Sequence, residues 1–159
     1  MTKLNHIDTD GNAVMVDIVK KNETERIAVA TGSIFMKSTT LELINKRAVK
    51  KGDVLSVAQI AGIMGSKRTP DLIPLCHPIN LTSVNLILTP NMNESSINIE
   101  ATCKVFGRTG VEMEALTAVT VTALTIYDMC KAADREMRIS DVRLIYKTGG
   151  KSGEYRAIE

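Results

Sequence analysis

"TSVNLILTPNMNESSINIEATCKVF", residues 82–106, decides the fold. Two β-rich runs, 82–89 and 95–106, flank the turn-forming PNMNES, and together they predict a β-hairpin. The second run alternates. Ile97, Ile99, Ala101, Cys103 and Val105 share one face, and Asn98, Glu100, Thr102 and Lys104 share the other.

On the N-terminal side, "TERIAVATGSIFM" (24–36) also alternates and is rich in β-branched and small residues, so it reads as a strand. Thr39 or Thr40 can cap a helix running to about residue 48, with Leu41, Ile44 and Val49 at near-helical spacing. Gly52 and Asp53 open a second helix, "DVLSVAQIAGIMGSK", with apolar positions 54, 57, 58, 61 and 64 on one face. Leu55, Ile60 and Ile63 make it apolar nearly all round, which predicts burial on more than one side. On the C-terminal side, "GVEMEALTAVTVTALTIYDMCKAA" carries the longest helical pattern, about 111–133, and a last strand spans about 137–146. The order β-α-β-β-α-β, its first helical stretch split in two, predicts an α+β fold. It is the ferredoxin-like split βαβ arrangement, an antiparallel sheet with helices on one face. One domain is expected over 1–159, with a mobile arm at 1–12 (Asp8, Asp10, Gly11, Asn12) and a Gly-rich tail at 147–159.

Composition narrows the function. A chain of 159 residues with 44% hydrophobic and 24% charged residues suits a soluble domain with a real core. A net charge of +2 is too small for a general nucleic-acid or membrane surface. Aromatic content of 3%, with no Trp, argues against single-stranded nucleic acid, which needs stacking platforms. Eight methionines suggest a core filled by flexible aliphatic side chains. Apolar runs are short and the N-terminus lacks a signal-peptide core, so no membrane span and a cytoplasmic location are expected. Cys76, Cys103 and Cys130 fit neither a disulfide framework nor zinc spacing, even with His6 and His77 added. Reduced thiols and no bound metal are the expectation.

Three segments carry candidate chemistry. "KRTPDLIPLCHPIN" (67–80) packs Pro70, Pro74 and Pro78 into nine residues, and each proline pushes its predecessor toward extended geometry. Such a loop holds its shape before a ligand arrives and presents Leu75, Cys76 and His77, or it is simply a rigid connection plugging the core. Lys51 lies just ahead of the second helix, where its charge and the free N–H groups would make an anion site, or a solvated basic turn. On the long helix, Glu114, Thr117, Thr125 and Asp128 form one polar stripe, and Asp128 pairs with Lys131 at i,i+3. That pair reads either as a partly buried acid–base site or as a surface ion pair. Glu114 and Asp128 are separated by about 21 Å of helix, too far for one small ligand in one chain. If both serve the chemistry, the site is shared between two copies, and a helix apolar on most sides also asks for a partner. The "GGKSG" of the tail lacks the first glycine and the following helix of a phosphate loop.

"GDVLSVAQIAGIMGSKRTPDLIPLCHPI" and "GVEMEALTAVTVTALTIYDMCKA" together resemble the cyclic pyranopterin monophosphate synthase family, the molybdenum-cofactor biosynthesis protein C family. "HIDTDGNAVMVDI", "TERIAVATGSIFM" and "KTGGKSG" are similar to it as well, so the resemblance covers nearly the whole chain. It implies a lyase that rearranges a cyclic dihydroguanosine triphosphate to cyclic pyranopterin monophosphate and releases pyrophosphate. It also implies a ferredoxin-like hexamer, a trimer of dimers with sites at subunit interfaces, and no cofactor. Carried over by position, Asp128 is the acid/base, Lys51 and Lys131 are essential beside it, and Leu75, Cys76, His77, Met113 and Glu114 bind substrate. A non-catalytic pterin or nucleotide carrier, or an RNA-binding domain of the same fold, is the rival reading. A carrier would need no paired lysine and aspartate.

Overall fold

The hairpin forms as expected. In a computed structural model describing residues 6–158, β2 (Ser83–Asn91) and β3 (Ser96–Gly107) pair antiparallel, with Leu86 opposite Ala101 and Leu88 opposite Ile99. The other edge of β3 pairs with β1 (Thr24–Phe35), placing Ala28 beside Cys103, Ala30 beside Ala101 and Ile34 beside Ile97. β4 (Arg138–Thr148) lies antiparallel along the far edge of β1, with register shifts near Ala30 and Ser33. A two-residue strand, β5 (Tyr155–Arg156), completes the order β2-β3-β1-β4-β5.

Among the described residues four helices accompany the sheet: α1 (Ser38–Asn45), α2 (Val54–Ser66), α3 (Thr69–Leu72) and α4 (Glu112–Cys130). α4 lies against β1, β3 and β4, and α2 packs on α4 and β2. The result is the α+β, ferredoxin-like architecture. Ala28, Ala30, Ile97, Ile99 and Ala101 from the sheet meet Ala115, Ala118, Val119 and Ile126 from α4, all buried. Each fully buried Ile or Val contributes about 1.5–3 kcal/mol, and the alanines let helix and sheet approach closely.

Several local readings change. The buried face of α2 is Val54, Ala58, Gly62 and Ser66, whereas Val57, Ile60 and Met64 are exposed. Close approach to α4 selects the small residues. A Cβ at Gly62 would collide with the Thr122 hydroxyl and lie 2.6 Å from Leu86 Cδ1. The methionines fill the core only in part: Met36, Met129 and Met137 are buried in it, whereas Met15, Met64 and Met92 are exposed. α1 has Lys37 as its N-cap, and the Thr40 hydroxyl donates to Asp134 at 3.3 Å instead of capping the helix. The proline loop is not wholly extended: Thr69 is helical and buried, because Pro70 sits in the first turn of α3, where its missing N–H has no helical partner to lose.

The tail is more ordered than its glycines suggested. Positive φ angles at Gly149, Gly150 and Gly153 turn the chain back so that β5 pairs with β4. Residues 1–5 of the expected arm lie outside the described residues. Beyond them, Asp8 Oδ1 accepts from the N–H groups of Asp10 and Asn12 and shapes a small turn. Among the described residues, no helix is long and apolar enough to cross a membrane.

Candidate active site

Two groups of side chains occupy opposite ends of α4. At its C-terminal end, Lys131 Nζ donates to Asp128 Oδ1 at 2.6 Å and Lys51 Nζ approaches Asp128 Oδ2 at 3.2 Å. Lys51 also donates to the Asp128 carbonyl oxygen at 2.8 Å. The last carbonyls of a helix lack intrahelical partners and carry partial negative charge, which draws a lysine there. The N-terminus of α2, the anion site expected for Lys51, is already capped, because Asp53 accepts from the Ser56 N–H at 3.1 Å.

The two ammonium groups, Lys131 foremost, hold the Asp128 carboxyl below its usual range, and Asp128 in turn raises Lys131. All three side chains are about half exposed rather than partly buried. Ion pairs this exposed add little to stability. Behind them, Asp134 is buried and accepts from the backbone N–H of Lys37 (2.8 Å) and of Glu136 (3.0 Å). It ties the turn presenting Lys131 to the start of α1.

At the N-terminal end of α4 a cavity of about 1010 Å³ brings together Leu75, Cys76, His77, Met113 and Glu114, the five residues expected to bind substrate. Glu114 is only 3% exposed. Burial first, and then the neighbouring Glu112 charge, raise its carboxyl to about 7. The same burial lifts the Cys76 thiol and pushes Cys103 up to about 12, so both remain protonated thiols. The His77 ring is not free: its Nε2 donates to the Val16 carbonyl at 2.7 Å.

The cavity also holds cations that the sequence reading missed, among them Lys20, Lys21, Arg26, Arg108 and Lys151. Arg26 is 9% exposed, and its Nε donates to the Gly107 carbonyl at 3.0 Å. Among the described residues no carboxylate pairs with it. The Gly150 backbone crosses so close to the guanidinium that a Cβ there would clash. Burying an unpaired charge is costly, and an anion in the cavity would offset that cost. A signal was present: Arg26 shares the inward parity of Ala28 and Ala30, where a strand facing a core carries apolar residues.

Fourteen positions of one continuous helix, about 21 Å, thus keep the Asp128 cluster and the cavity apart within a chain. This geometry accompanies close similarity to known proteins. The cyclic pyranopterin monophosphate synthase of Rhodospirillum rubrum is 64% identical over 154 residues, covering 97% of this chain and 93% of the relative. Those of Thermoanaerobacter sp. and Clostridium perfringens are 58% and 56% identical over 152 and 153 residues. In both cases 96% of this chain is covered, with 96% and 97% of the respective relatives. The model of the MoaC family matches residues 15–150, from the arm beside the cavity to the glycines beyond β4, and the chain belongs to that family.

Proposed function

We propose that this chain is a cyclic pyranopterin monophosphate synthase of molybdenum-cofactor biosynthesis. Its substrate is (8S)-3',8-cyclo-7,8-dihydroguanosine 5'-triphosphate, and its products are cyclic pyranopterin monophosphate and pyrophosphate. The observation that carries this reading is the buried Arg26, paired with no carboxylate among the described residues, in a cavity lined by several lysines and by Glu114. Cations match a triphosphate, and a buried carboxyl near neutrality can accept from or donate to the N–H and C=O edge of a guanine-derived ring.

Asp128 is a carboxylate at neutral pH, as aspartates ordinarily are, and the two ammonium groups facing it lower its pKa further, so it starts as the proton acceptor. Lys131, raised by the same pairing, is a cation fit to stabilise charge on a departing pyrophosphate or to return a proton. Lys51 fixes the Asp128 carboxylate from the opposite side. Leu75, Cys76 and Met113 form the wall that receives the base. The two halves lie too far apart for one chain to use both on one substrate. A second copy therefore supplies the Asp128 cluster to each cavity, in a trimer of dimers with its sites between subunits, in the cytoplasm.

The exposed apolar stripe Val57, Ile60 and Met64 on α2 suits such packing. The test is direct. Purified protein given the cyclic guanosine triphosphate should yield pyrophosphate and a pterin in equal amounts; a bound but unchanged nucleotide would instead indicate a carrier.

A further inference from the structure

Residues 13–22 line one wall of the cavity through Val16, Ile18, Lys20, Lys21 and Asn22, yet belong to no helix or strand. Within the stretch, hydrogen bonding is local: Val19 N–H to Asp17 Oδ1 at 2.8 Å, and Lys21 N–H to the Ile18 carbonyl at 3.0 Å. At its start the stretch is tied back to the preceding turn, Val14 N–H donating to the His6 carbonyl at 3.0 Å. Among the described residues, one hydrogen bond joins it to the chain that follows, from His77 Nε2 to the Val16 carbonyl across 61 positions. The two sides of that bond differ in stiffness. His77 stands directly before Pro78 and three residues after Pro74, on a segment the prolines hold in shape. The strap has no such constraint.

We infer that His77 is a positioning residue: its ring latches residues 13–22 along the cavity and thereby sets Lys20 and Lys21 at the wall where a polyphosphate would lie. The polyphosphate rests on the function proposed above; the latch itself does not. A ring nitrogen already donating to a backbone carbonyl has spent the hydrogen bond it would otherwise give to a ligand. Losing the latch leaves Lys20 and Lys21 on a chain that is only sometimes in place. Apparent affinity then falls by the fraction of time the strap is seated.

Trypsin reads this without any ligand, since it cuts after lysines in segments that open locally. In His77→Phe, cutting after Lys20 and Lys21 should rise about tenfold, while cutting after Lys50 and Lys51 stays at the parent rate. His77→Gln, which keeps an N–H donor, should restore slow cutting. With inorganic tripolyphosphate as the probe, affinity should drop about tenfold in His77→Phe and recover in His77→Gln. The double change Lys20→Ala/Lys21→Ala should then weaken binding less in His77→Phe than in the parent, because the unlatched lysines are already misplaced. Equal cutting of parent and His77→Phe at Lys20 and Lys21 would overturn the latch. So would equal acceleration at Lys50 and Lys51, which marks general loosening, or strictly additive losses, which mark direct contact of His77 with the ligand. Failure of tripolyphosphate to bind the parent would count against the substrate reading alone, and the cutting rates would still decide the latch.

Discussion

Glu114 is a carboxyl whose surroundings set its protonation and therefore its use. Its folded pKa of about 7 stands above the ordinary 4.5. Between those values the folded chain holds a proton that the unfolded chain has released, so stability falls as pH rises through this window. The full cost, about 3 kcal/mol, is reached above pH 7. Glu114→Gln should therefore match the parent near pH 4 and melt higher at pH 8; parallel melting curves across the range would show that burial does not perturb this carboxyl. Asp128 has the opposite sign: its lowered pKa makes a small stabilising contribution at neutral pH that fades on acidification. Lys51→Ala and Lys131→Ala should each lower turnover about 100-fold while leaving the melting temperature within about 3 °C, since both side chains are half exposed. Lys50→Ala should be much milder, and near-normal turnover in either Lys51→Ala or Lys131→Ala would count against their role. Lys51, Asp128 and Lys131 could each be singled out from the sequence, the last two as an i,i+3 pair, but the meeting of Lys51 with the other two could not. A lysine 77 positions from its carboxylate leaves no local pattern in the sequence, and Lys51 was accordingly aimed at the wrong helix end.

At the scale of elements, the hairpin and α4 could be read because their periods are long and uninterrupted, alternating in β3 and near-helical across α4. The face of α2 could not. Hydrophobic counting weights large side chains, whereas the α2–α4 contact is set by how near two backbones come, which only the absence of side chains at Gly62 and Gly65 reveals. α3 and β5 were missed for related reasons: four residues and two residues carry no period, and each depends on where a proline or a run of glycines places the chain. The α2–α4 contact gives a prediction against intrinsic propensity. Gly62→Ala should gain about 1 kcal/mol in an isolated helix. Here the added methyl would also lie 2.9 Å from the Ala118 carbonyl oxygen. Overpacking costs about 1–3 kcal/mol, so urea unfolding should show a net loss, and a more stable variant would mean that the two helices separate easily.

At the scale of the whole molecule, α4 separates the cavity from the Asp128 cluster, and the proposed assembly reunites them across copies. Glu114→Ala and Asp128→Ala, each inactive alone, should regain part of the activity when unfolded together and refolded as mixed oligomers. In a hybrid pair one site carries both lesions and the other carries neither. If mixed oligomers form and remain as inactive as the parents, each chain works alone and the shared site is wrong. The same helix length has a genetic consequence. A chain carrying both lesions would disable both sites of any intact chain it pairs with, by lacking Glu114 in one and Asp128 in the other. In a cell making equal amounts of the two, roughly one pair in four would be fully intact and the remainder silent. Inheritance of the doubly altered gene would therefore be dominant, although either single change is complemented by the other.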